Sequence, residues 1–545
     1  MDNLLEKKHD KKSLKLQNKE NKKLASHKKK IQKDIAKKTT FQKLKSWWPF
    51  SKISGKIIIG YLSAIIIGGF LLSIPGIVND RESEWNFITG MFTASSAISD
   101  TGITILQTNT QYSLFGQILI LVMIKIGGIG LLTIKLVILA LLNRKISLDD
   151  QHVAKSERGT GTVANTVEMI RDAFLFLTFI EIAGTGVLFF GFYLTPLTDT
   201  SPVNTSFDVT DSYHNFSRSL WASIFHSVSA VNNAGFDIIS NSSLQPYNQG
   251  NNRGYVLQVI FMLQWIIGGL GYPTYHDIKR KIKARKEGKK VKFSLFTKLN
   301  FVFYTILLVV GPTLVILSEV LTVEKSKIMY RPTETEGVYE KQKTYQWVFD
   351  IIFNVTSCRN AGFSTVDINN FTAGSKFVMA IWMFIGAAPS STAGGIRTTT
   401  FAICLIAIIS IIRNKHSVEA FKKKVPDETV RRSFAVIFLS FFIVVFSIFV
   451  VYLDSNKMLY DRNMNTDDTE YTIIQLIVYV SSAFGTVGFQ PFANSEILAM
   501  GVVSKIMLVL TMFIGQLGIS NTLLAFVKPK NKQNFGYLEE EVTIG

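Results

Sequence analysis

The chain has 545 residues, of which 47% are hydrophobic and only 18% charged, and its mean hydropathy of +0.25 excludes a string of soluble domains and indicates a polytopic membrane protein. The formal net charge of +19 is weak evidence for nucleic-acid binding, because residues 1–45 alone hold 16 Lys against five acidic residues. Two cysteines, Cys358 and Cys404, exclude a disulfide framework.

Residues 1–50 are predicted to form a basic cytoplasmic tail. The lysines are not followed by an apolar core of about 7–15 residues, so the segment does not resemble a cleavable signal peptide. Two interpretations stay open: a solvated arm that fixes topology, or an arm that binds anionic lipid headgroups. The run Trp47-Trp48-Pro49-Phe50 predicts an aromatic anchor at the membrane interface.

Eight stretches are long enough to cross a bilayer as helices, which takes about 20 apolar residues. They are 56–78, 115–142, 172–194, 255–275, 298–321, 376–412 (interrupted), 433–453 and 501–527. A shorter apolar stretch lies within each consecutive pair and predicts a re-entrant or buried helix: 85–98, 217–231, 345–358 and 470–484. Lys and Arg concentrate in the two tails and in the loops between pairs, so the positive-inside rule predicts a multi-pass protein with both termini cytoplasmic.

A glycine-containing turn follows each short helix. The central glycines are 102, 235, 362 and 488, at spacings of 133, 127 and 126 residues. Near-constant spacing of one motif indicates an internal repeat. We therefore predict an all-α polytopic membrane protein with eight transmembrane helices in four pseudo-symmetric span–pore-helix–span units around a central pore. The predicted units are 51–145, 146–290, 291–415 and 416–530, followed by a cytoplasmic C-terminal tail, 531–545.

The four turns predict an ion-selectivity filter. Irregular backbone at membrane depth is tolerated only where it is buried in protein or lines a wet cavity. Carbonyls from four such turns could replace the water shell of an alkali cation, and the partly negative helix ends would favour a cation there. An ordinary helix C-cap explains one such glycine, but not four at this spacing. The predicted ion-binding residues, with potassium as the only metal, are Thr101, Gly102, Ile103, Asn233, Ala234, Gly235, Phe236, Asn360, Ala361, Gly362, Phe363, Thr486, Val487, Gly488 and Phe489.

The sixth predicted span is broken at 386–400, where small residues, a proline and two adjacent glycines cannot maintain a helix. A flexible loop beneath the filter predicts a gate, and the alternative is a kink that packs harmlessly against its neighbours. The predicted gate residues in this segment are Gly386, Pro389, Ser390, Ser391, Thr392, Gly394 and Gly395.

No enzyme is predicted. The glycine-rich runs 127–130 and 268–271 lie inside apolar stretches and lack a following Lys-Ser/Thr pair, so they are interpreted as helix-packing glycines. Nucleophile, base and orienting residue do not converge in the sequence, and no covalently bound cofactor is expected.

The residues around the turns resemble the Trk/Ktr/HKT superfamily of potassium transporters, and most closely its Ktr-type membrane subunit. The matching segments are 225–237, 357–364, 482–489 and the C-terminal 537–545. The resemblance covers about residues 50–545 and implies a homodimer with one pore per protomer and a loop that obstructs it. It also implies a cytosolic ring of nucleotide-binding regulatory subunits that contacts the 386–400 loop and Glu539, Glu540 and Glu541.

Three residues depart from the family pattern. Asp100 stands where the family usually has an uncharged residue, and is either a mouth charge or part of a salt bridge with Arg359. Lys125 stands where Gln is common, and an intramembrane Lys, at a cost of about 2.5–3.5 kcal/mol, should pair or face a cavity. Gln516 stands where the family usually has an Arg that points into the pore, and is included with the predicted gate residues.

The sequence thus predicts potassium uptake across the plasma membrane, with K⁺ as the substrate and Na⁺ coupling left open. Membrane lipid is an expected partner, and nucleic acid is not. Two alternatives remain: a sodium-conducting or weakly selective cation transporter, motivated by Asp100, and a non-conducting membrane scaffold.

Overall fold

The computed structural model describes residues 53–79, 86–131, 133–142, 146, 151–152, 166–197, 210–248, 253–322, 326–332, 339–460, 469–519 and 522. The predicted N-terminal tail, its aromatic anchor and the C-terminal tail with its three glutamates lie outside these residues. Two units are distinguished, Met1–Lys56 and Ile57–Gly545. Of the first, only the opening turn of a helix is described.

The described part of the chain is mainly helical. Its α-helices are α1 (Ile53–Leu72), α2 (Phe87–Ile98), α3 (Leu114–Ile129), α4 (Thr133–Leu141), α5 (Thr166–Leu194), α6 (Phe216–Val231), α7 (Tyr255–Gly268), α8 (Tyr272–Lys286), α9 (Leu295–Leu321), α10 (Thr344–Ser357), α11 (Ala373–Phe384), α12 (Thr398–Ile412), α13 (Asp427–Asp454), α14 (Thr469–Gly485), α15 (Asn494–Ala499) and α16 (Val502–Leu517). The single 3₁₀ turns Gln245–Asn248 and Ile368–Asn370 lie in connecting loops.

The all-α prediction needs a small correction, because the described residues include two antiparallel hairpins. They are β1 (Tyr330–Pro332) with β2 (Tyr339–Lys341), and β3 (Glu419–Ala420) with β4 (Lys423–Lys424). Both lie in polar connections, and strands of two or three residues are too short for a period of two to be visible in the sequence.

Four described helices, α1, α5, α9 and α13, are long and apolar enough to cross a membrane. Two further pairs meet this criterion together but are bent, α3 with α4 by 88° and α7 with α8 by 90°. The prediction of continuous spans over 115–142 and 255–275 is therefore wrong. The bends occur at Gly130 and Gly271, whose positive φ angles of 92° and 80° cannot continue a right-handed helix. Since α11, α12 and α16 are shorter apolar helices, the count of eight spans stays a prediction.

The four predicted short helices are present as α2, α6, α10 and α14. Two begin at asparagine caps: Asn86 accepts a hydrogen bond from the Thr89 amide, and Asn215 from the Arg218 amide. Each short helix packs against neighbouring helices, as α6 does against α5 and α7. The predicted re-entrant or buried character is therefore confirmed in its buried form, and each short helix delivers a glycine turn to the interior.

Buried polar contacts tie the second and third parts of the chain together. The guanidinium of Arg253 lies 3.1 Å from the carboxylate of Asp350, and both side chains are almost fully buried. Asn248 donates to the other oxygen of the same carboxylate at 2.8 Å. On the apolar side, the rings of Trp265 on α7 and Phe353 on α10 meet edge to face with centroids 5.0 Å apart. These contacts fix the loop after α6 relative to the helix that carries the third turn.

Candidate functional site

The four glycine turns meet and form a closed ring. Each glycine lies against the carbonyl oxygen of the residue that precedes the glycine of the next turn, and the fourth turn returns to the first. A Cβ atom built on each glycine would lie 2.4 Å from the Ala234 oxygen for Gly102, 2.8 Å from the Ala361 oxygen for Gly235, 2.0 Å from the Val487 oxygen for Gly362 and 2.5 Å from the Thr101 oxygen for Gly488. No side chain larger than hydrogen fits at these approaches without a backbone shift.

The backbone conformation imposes the same requirement independently. The φ angles of Gly102, Gly235, Gly362 and Gly488 are 84°, 67°, 75° and 107°, in the region that L side chains rarely adopt. Two independent constraints thus require glycine at each turn: the positive φ angle and the close approach of the neighbouring turn. The structure brings together all four turns that the sequence predicted.

The turns are held to the ends of their short helices by similar but not identical bonds. The amides of Thr101, Ala234 and Val487 each donate to a serine carbonyl five residues earlier, at 2.8, 2.8 and 2.9 Å. In the third turn the Ala361 amide donates instead to Ser357, four residues earlier, at 2.8 Å. The third turn is therefore wound more tightly, a difference that the sequence motif does not reveal.

The large apolar residues that follow the glycines anchor the turns in the core. Ile103, Phe236 and Phe363 are at most 1% exposed. The ring of Phe363 packs 4.9 Å from Phe261 and is stacked on Trp265 at 6.2 Å. These side chains thus face the packed interior, so their contribution to a filter would come from the backbone.

An open cavity of about 980 Å³ lies on one side of the ring, lined by all four glycines and by the loops that follow them. Its lining includes the carboxylates of Asp237, Asp367 and Glu496, and the described lining residues include no Lys, Arg or His. One oxygen of Asp237 lies 2.6 Å from Nε2 of the fully buried His226. The cavity therefore presents a negative surface at the entrance to the ring.

The break between α11 and α12 lies on the opposite side of the ring and contacts the residues that precede the glycines. Asn233 donates to the Thr392 hydroxyl at 2.6 Å, and the Gly394 amide donates to the Thr486 hydroxyl at 2.7 Å. Gln516 donates to the Thr392 carbonyl at 3.0 Å. The loop is thus fastened to the second and fourth turns, directly beneath the ring.

Further backbone bonds hold the loop at both of its flanks. Ala388 donates to Gly269 at 3.2 Å, Tyr272 donates to Ser390 at 3.0 Å, and Gly395 donates to Gly515 at 3.1 Å. Gly386 is required by close approach, because a Cβ there would lie 1.9 Å from the Gly394 oxygen. A second cavity of about 240 Å³ adjoins the loop and is lined by these predicted gate residues among others: Pro389, Ser390, Ser391, Gly395 and Gln516.

Asp100 is fully buried, and its location differs from both sequence-based interpretations. Its carboxylate accepts a hydrogen bond from Gln516 at 3.2 Å, on the loop side of the ring. It is not among the described residues that line the open cavity. Arg359 donates instead to the Gly386 carbonyl at 3.1 Å and lies 4.4 Å from the centre of the Tyr304 ring. Asp100 and Gln516, the two departures near the turns, therefore contact each other.

Lys125 pairs as predicted, and its partner is a residue that the sequence analysis missed. Its ammonium lies 2.5 Å from one carboxylate oxygen of Glu181 on α5. Glu181 lies inside the predicted span 172–194, whose other carboxylate, Asp172, is at its first position, and this interior location would have marked Glu181 as a candidate partner. The two residues are 56 positions apart, so their contact was not visible in the sequence.

The glycine-rich runs divide into two roles. A Cβ on Gly127 would lie 2.2 Å from the Ile98 oxygen, and one on Gly268 would lie 2.0 Å from the Val231 oxygen, so the helix-packing interpretation is confirmed for these two. Gly130 instead caps the end of α3, and Gly271 caps the start of α8, at the bends described above. Within the described residues, no group of three or more His, Cys, Asp or Glu side chains could hold a metal ion.

Comparison with known proteins gives consistent matches over nearly the whole chain. The sequence model of the family described as TrkH, cation transport protein, matches residues 30–537. The chain is 31% identical to an uncharacterized cation transporter of Mycoplasma genitalium, over 94% of this chain and 100% of the relative. It is 26% identical to Ktr system potassium uptake protein D of Bacillus subtilis, over 90% of this chain and 96% of the relative. Its fold is similar to the crystal structure of the potassium transporter TrkH from Vibrio parahaemolyticus, with a TM-score of 0.59, 13% identity, and coverage of 88% and 85% of the two chains.

Proposed function

Because the chain belongs to the TrkH cation transport protein family, we propose that it takes up potassium ions across the plasma membrane through a pore formed by its own four turns. The observation that carries this proposal is the closed ring in which each glycine meets the carbonyl of the next turn. The relative in Bacillus subtilis is named a potassium uptake protein, which supports the choice of ion.

In this proposal the ring is the selectivity filter. A cation enters from the open cavity, where the carboxylates raise its local concentration. It then exchanges its water shell for backbone carbonyl oxygens, which replace that hydration without the tight hold of a ring of carboxylates, so the ion can also leave. The four units 51–145, 146–290, 291–415 and 416–530 surround this axis, and the eight predicted spans include the two bent pairs and the broken sixth span.

The loop between α11 and α12 is the proposed gate. It is supported by the hydrogen bonds that fasten Thr392 and Gly394 to the second and fourth turns directly below the ring. A gate needs two arrangements of similar energy, and small residues with a proline break allow the backbone to change without dismantling a helix. The structure's arrangement corresponds to the closed one in this proposal.

The remaining parts of the proposal concern orientation and partners. Both termini face the cytoplasm, and two copies form a homodimer with one pore each. A cytosolic nucleotide-binding ring contacts the 386–400 loop and the C-terminal glutamates, and coupling of K⁺ uptake to Na⁺ is left open. This part is supported by the family resemblance and by the basic loops that the positive-inside rule places in the cytoplasm.

The decisive experiment is the growth of a cell lacking potassium uptake, with and without this chain, at limiting potassium, followed by flux into proteoliposomes. Rescue of growth with a reversal potential that follows K⁺ supports the proposal. A reversal potential that follows Na⁺ equally well favours the weakly selective transporter. Correctly folded protein that neither rescues growth nor conducts either ion would favour the remaining alternative, a non-conducting membrane scaffold.

A further inference from the structure

A buried ion pair lies behind the second turn. The Lys125 ammonium on α3 is 2.5 and 2.6 Å from the two carboxylate oxygens of Glu181 on α5. The Glu181 side chain is 7% exposed and that of Lys125 27%. The pair joins the predicted first unit to the second, at a depth where neither charge could be left alone without a large cost.

The same carboxylate reaches the second turn. Oε1 of Glu181 accepts a hydrogen bond at 2.9 Å from the side-chain nitrogen Nδ2 of Asn232, the residue that caps the end of α6 and leads into the turn. The backbone oxygen of Glu181 accepts a further bond from Ser227 on α6 at 2.7 Å. Glu181 therefore contacts α6 both within the helix, at Ser227, and at its end, at Asn232, just before the turn that contains Gly235.

Close packing leaves the Asn232 amide little freedom. A Cβ on Gly128 would lie 2.1 Å from the Asn232 oxygen, so α3 approaches this side chain as closely as a glycine allows. The Asn232 nitrogen also donates to the Val228 carbonyl at 2.8 Å. Any shift of the carboxylate is therefore transmitted to the residue next to the turn.

The residues at the matching position of the other turns are held differently. Ser99 donates to Ser95 within its own short helix at 2.6 Å, and Arg359 donates to the Gly386 carbonyl. The fourth position is Gly485, which has no side chain. Among the four described turns, the second is the one whose preceding residue is held by a charged pair from other helices.

We propose that Glu181, with Lys125 as its counter-charge, is a positioning residue that sets the second turn of the filter and thereby the preference for K⁺ over Na⁺. This rests on the proposed function. Glu181 does not touch the ion. It acts through Asn232, which fixes how the carbonyl of Ala234 is presented to the ring.

Two neutral double variants isolate the bond to Asn232 from the charge itself. K125M/E181Q retains a carbonyl acceptor for Asn232, and K125M/E181A does not, while neither leaves a charge unpaired. The ratio of K⁺ to Na⁺ permeability is measured in proteoliposomes, on protein shown to be folded by its thermal transition. We expect K125M/E181Q to stay within about twofold of the parent and K125M/E181A to lose about fivefold or more, since one hydrogen bond is at stake.

A third variant guards against a folding failure of the alanine variant. Asn232→Ser removes the amide but leaves the ion pair intact, and it should lower the permeability ratio to a similar extent. An unchanged ratio in folded Asn232→Ser or K125M/E181A would overturn the positioning role. A parent protein without potassium flux would instead refute the proposed function, so the two failures are distinguishable.

Discussion

At the residue scale, the requirement for glycine is sharpest at Gly362. Its φ angle is 75°, and a Cβ there would lie 2.0 Å from the Val487 oxygen, nearer than any real contact. A methyl group must therefore displace the fourth turn as well as strain the third. We expect Gly362→Ala to reduce the preference for K⁺ over Na⁺ or to abolish flux, as measured by reversal potentials in proteoliposomes.

Gly288 offers a matched control for this substitution. Its φ angle of 70° is also in the left-handed region, but a Cβ there meets nothing within 4 Å. Gly288→Ala thus carries a similar backbone strain without the clash and should keep the parental ion preference. Equal selectivity in Gly362→Ala and the parent would remove the third turn from the filter.

Residues that recur at a fixed spacing were predictable, and single long-range contacts were not. The four glycines could be identified because one backbone requirement is repeated four times along the chain. The sequence indicated that Lys125 needs a partner, because an isolated charge in a membrane is costly, but it did not identify Glu181. The contact between Asp100 and Gln516 joins residues 416 positions apart and depends entirely on the closure of the fold.

At the element scale, apolar length predicted where helices exist but not where they bend. The stretches 115–142 and 255–275 are continuously apolar except for a few residues, so hydropathy alone favours straight spans. The bends of 88° and 90° result from the positive φ of single glycines, a property of the backbone that composition does not encode. The broken sixth span was predictable, because proline and several small residues coincide there.

The loop between α11 and α12 gives the prediction at this scale. Thr392 accepts the bond from Asn233, and a valine of similar volume would leave that donor buried without its partner. The closed arrangement should lose about 1–3 kcal/mol, which raises the ratio of open to closed protein about 5- to 150-fold. We therefore expect Thr392→Val, and deletion of Ala388–Ala393, to raise potassium flux, as measured in proteoliposomes on folded protein.

Thr511→Val is the matched control for the loop variant. Thr511 is fully buried and donates to the Met507 carbonyl within α16 at 2.7 Å. Its loss removes a comparable hydroxyl without touching the loop, so potassium flux should stay at the parental level. Folded loop variants that conduct no better than the parent would favour the structural kink over the gate.

At the scale of the whole molecule, the net charge of the chain and the charge of the open cavity have opposite signs. The chain carries a formal net charge of +19, yet the described lining of the open cavity holds three carboxylates and no basic side chain. A concave negative surface with low-dielectric walls concentrates cations locally, whatever the total charge of the protein. The net charge therefore says little about the ion that the cavity attracts.

Neutralising two of these carboxylates should slow potassium uptake in a salt-dependent way. In D367N/E496Q the side-chain amide oxygens can still accept the bonds that the backbone amides of Asn369 and Ala493 donate to the parent carboxylates. At an ionic strength of about 0.01 M the Debye length is about 30 Å, and the loss of two charges should reduce uptake at low potassium severalfold. At about 1 M it falls to about 3 Å, and the variant should approach the parent.

The double variant D427N/E428Q removes the same charge from the start of α13, where the two side chains are 68% and 71% exposed and do not line the cavity. It should leave uptake unchanged at both ionic strengths, because only charges on the lining of the cavity concentrate cations at the ring, and the total charge of the protein does not. The permeability ratio should be parental in both variants, since the carbonyls are untouched. If D367N/E496Q lost uptake equally at low and high salt, the carboxylates would be acting through local structure, and attraction by the cavity would be refuted.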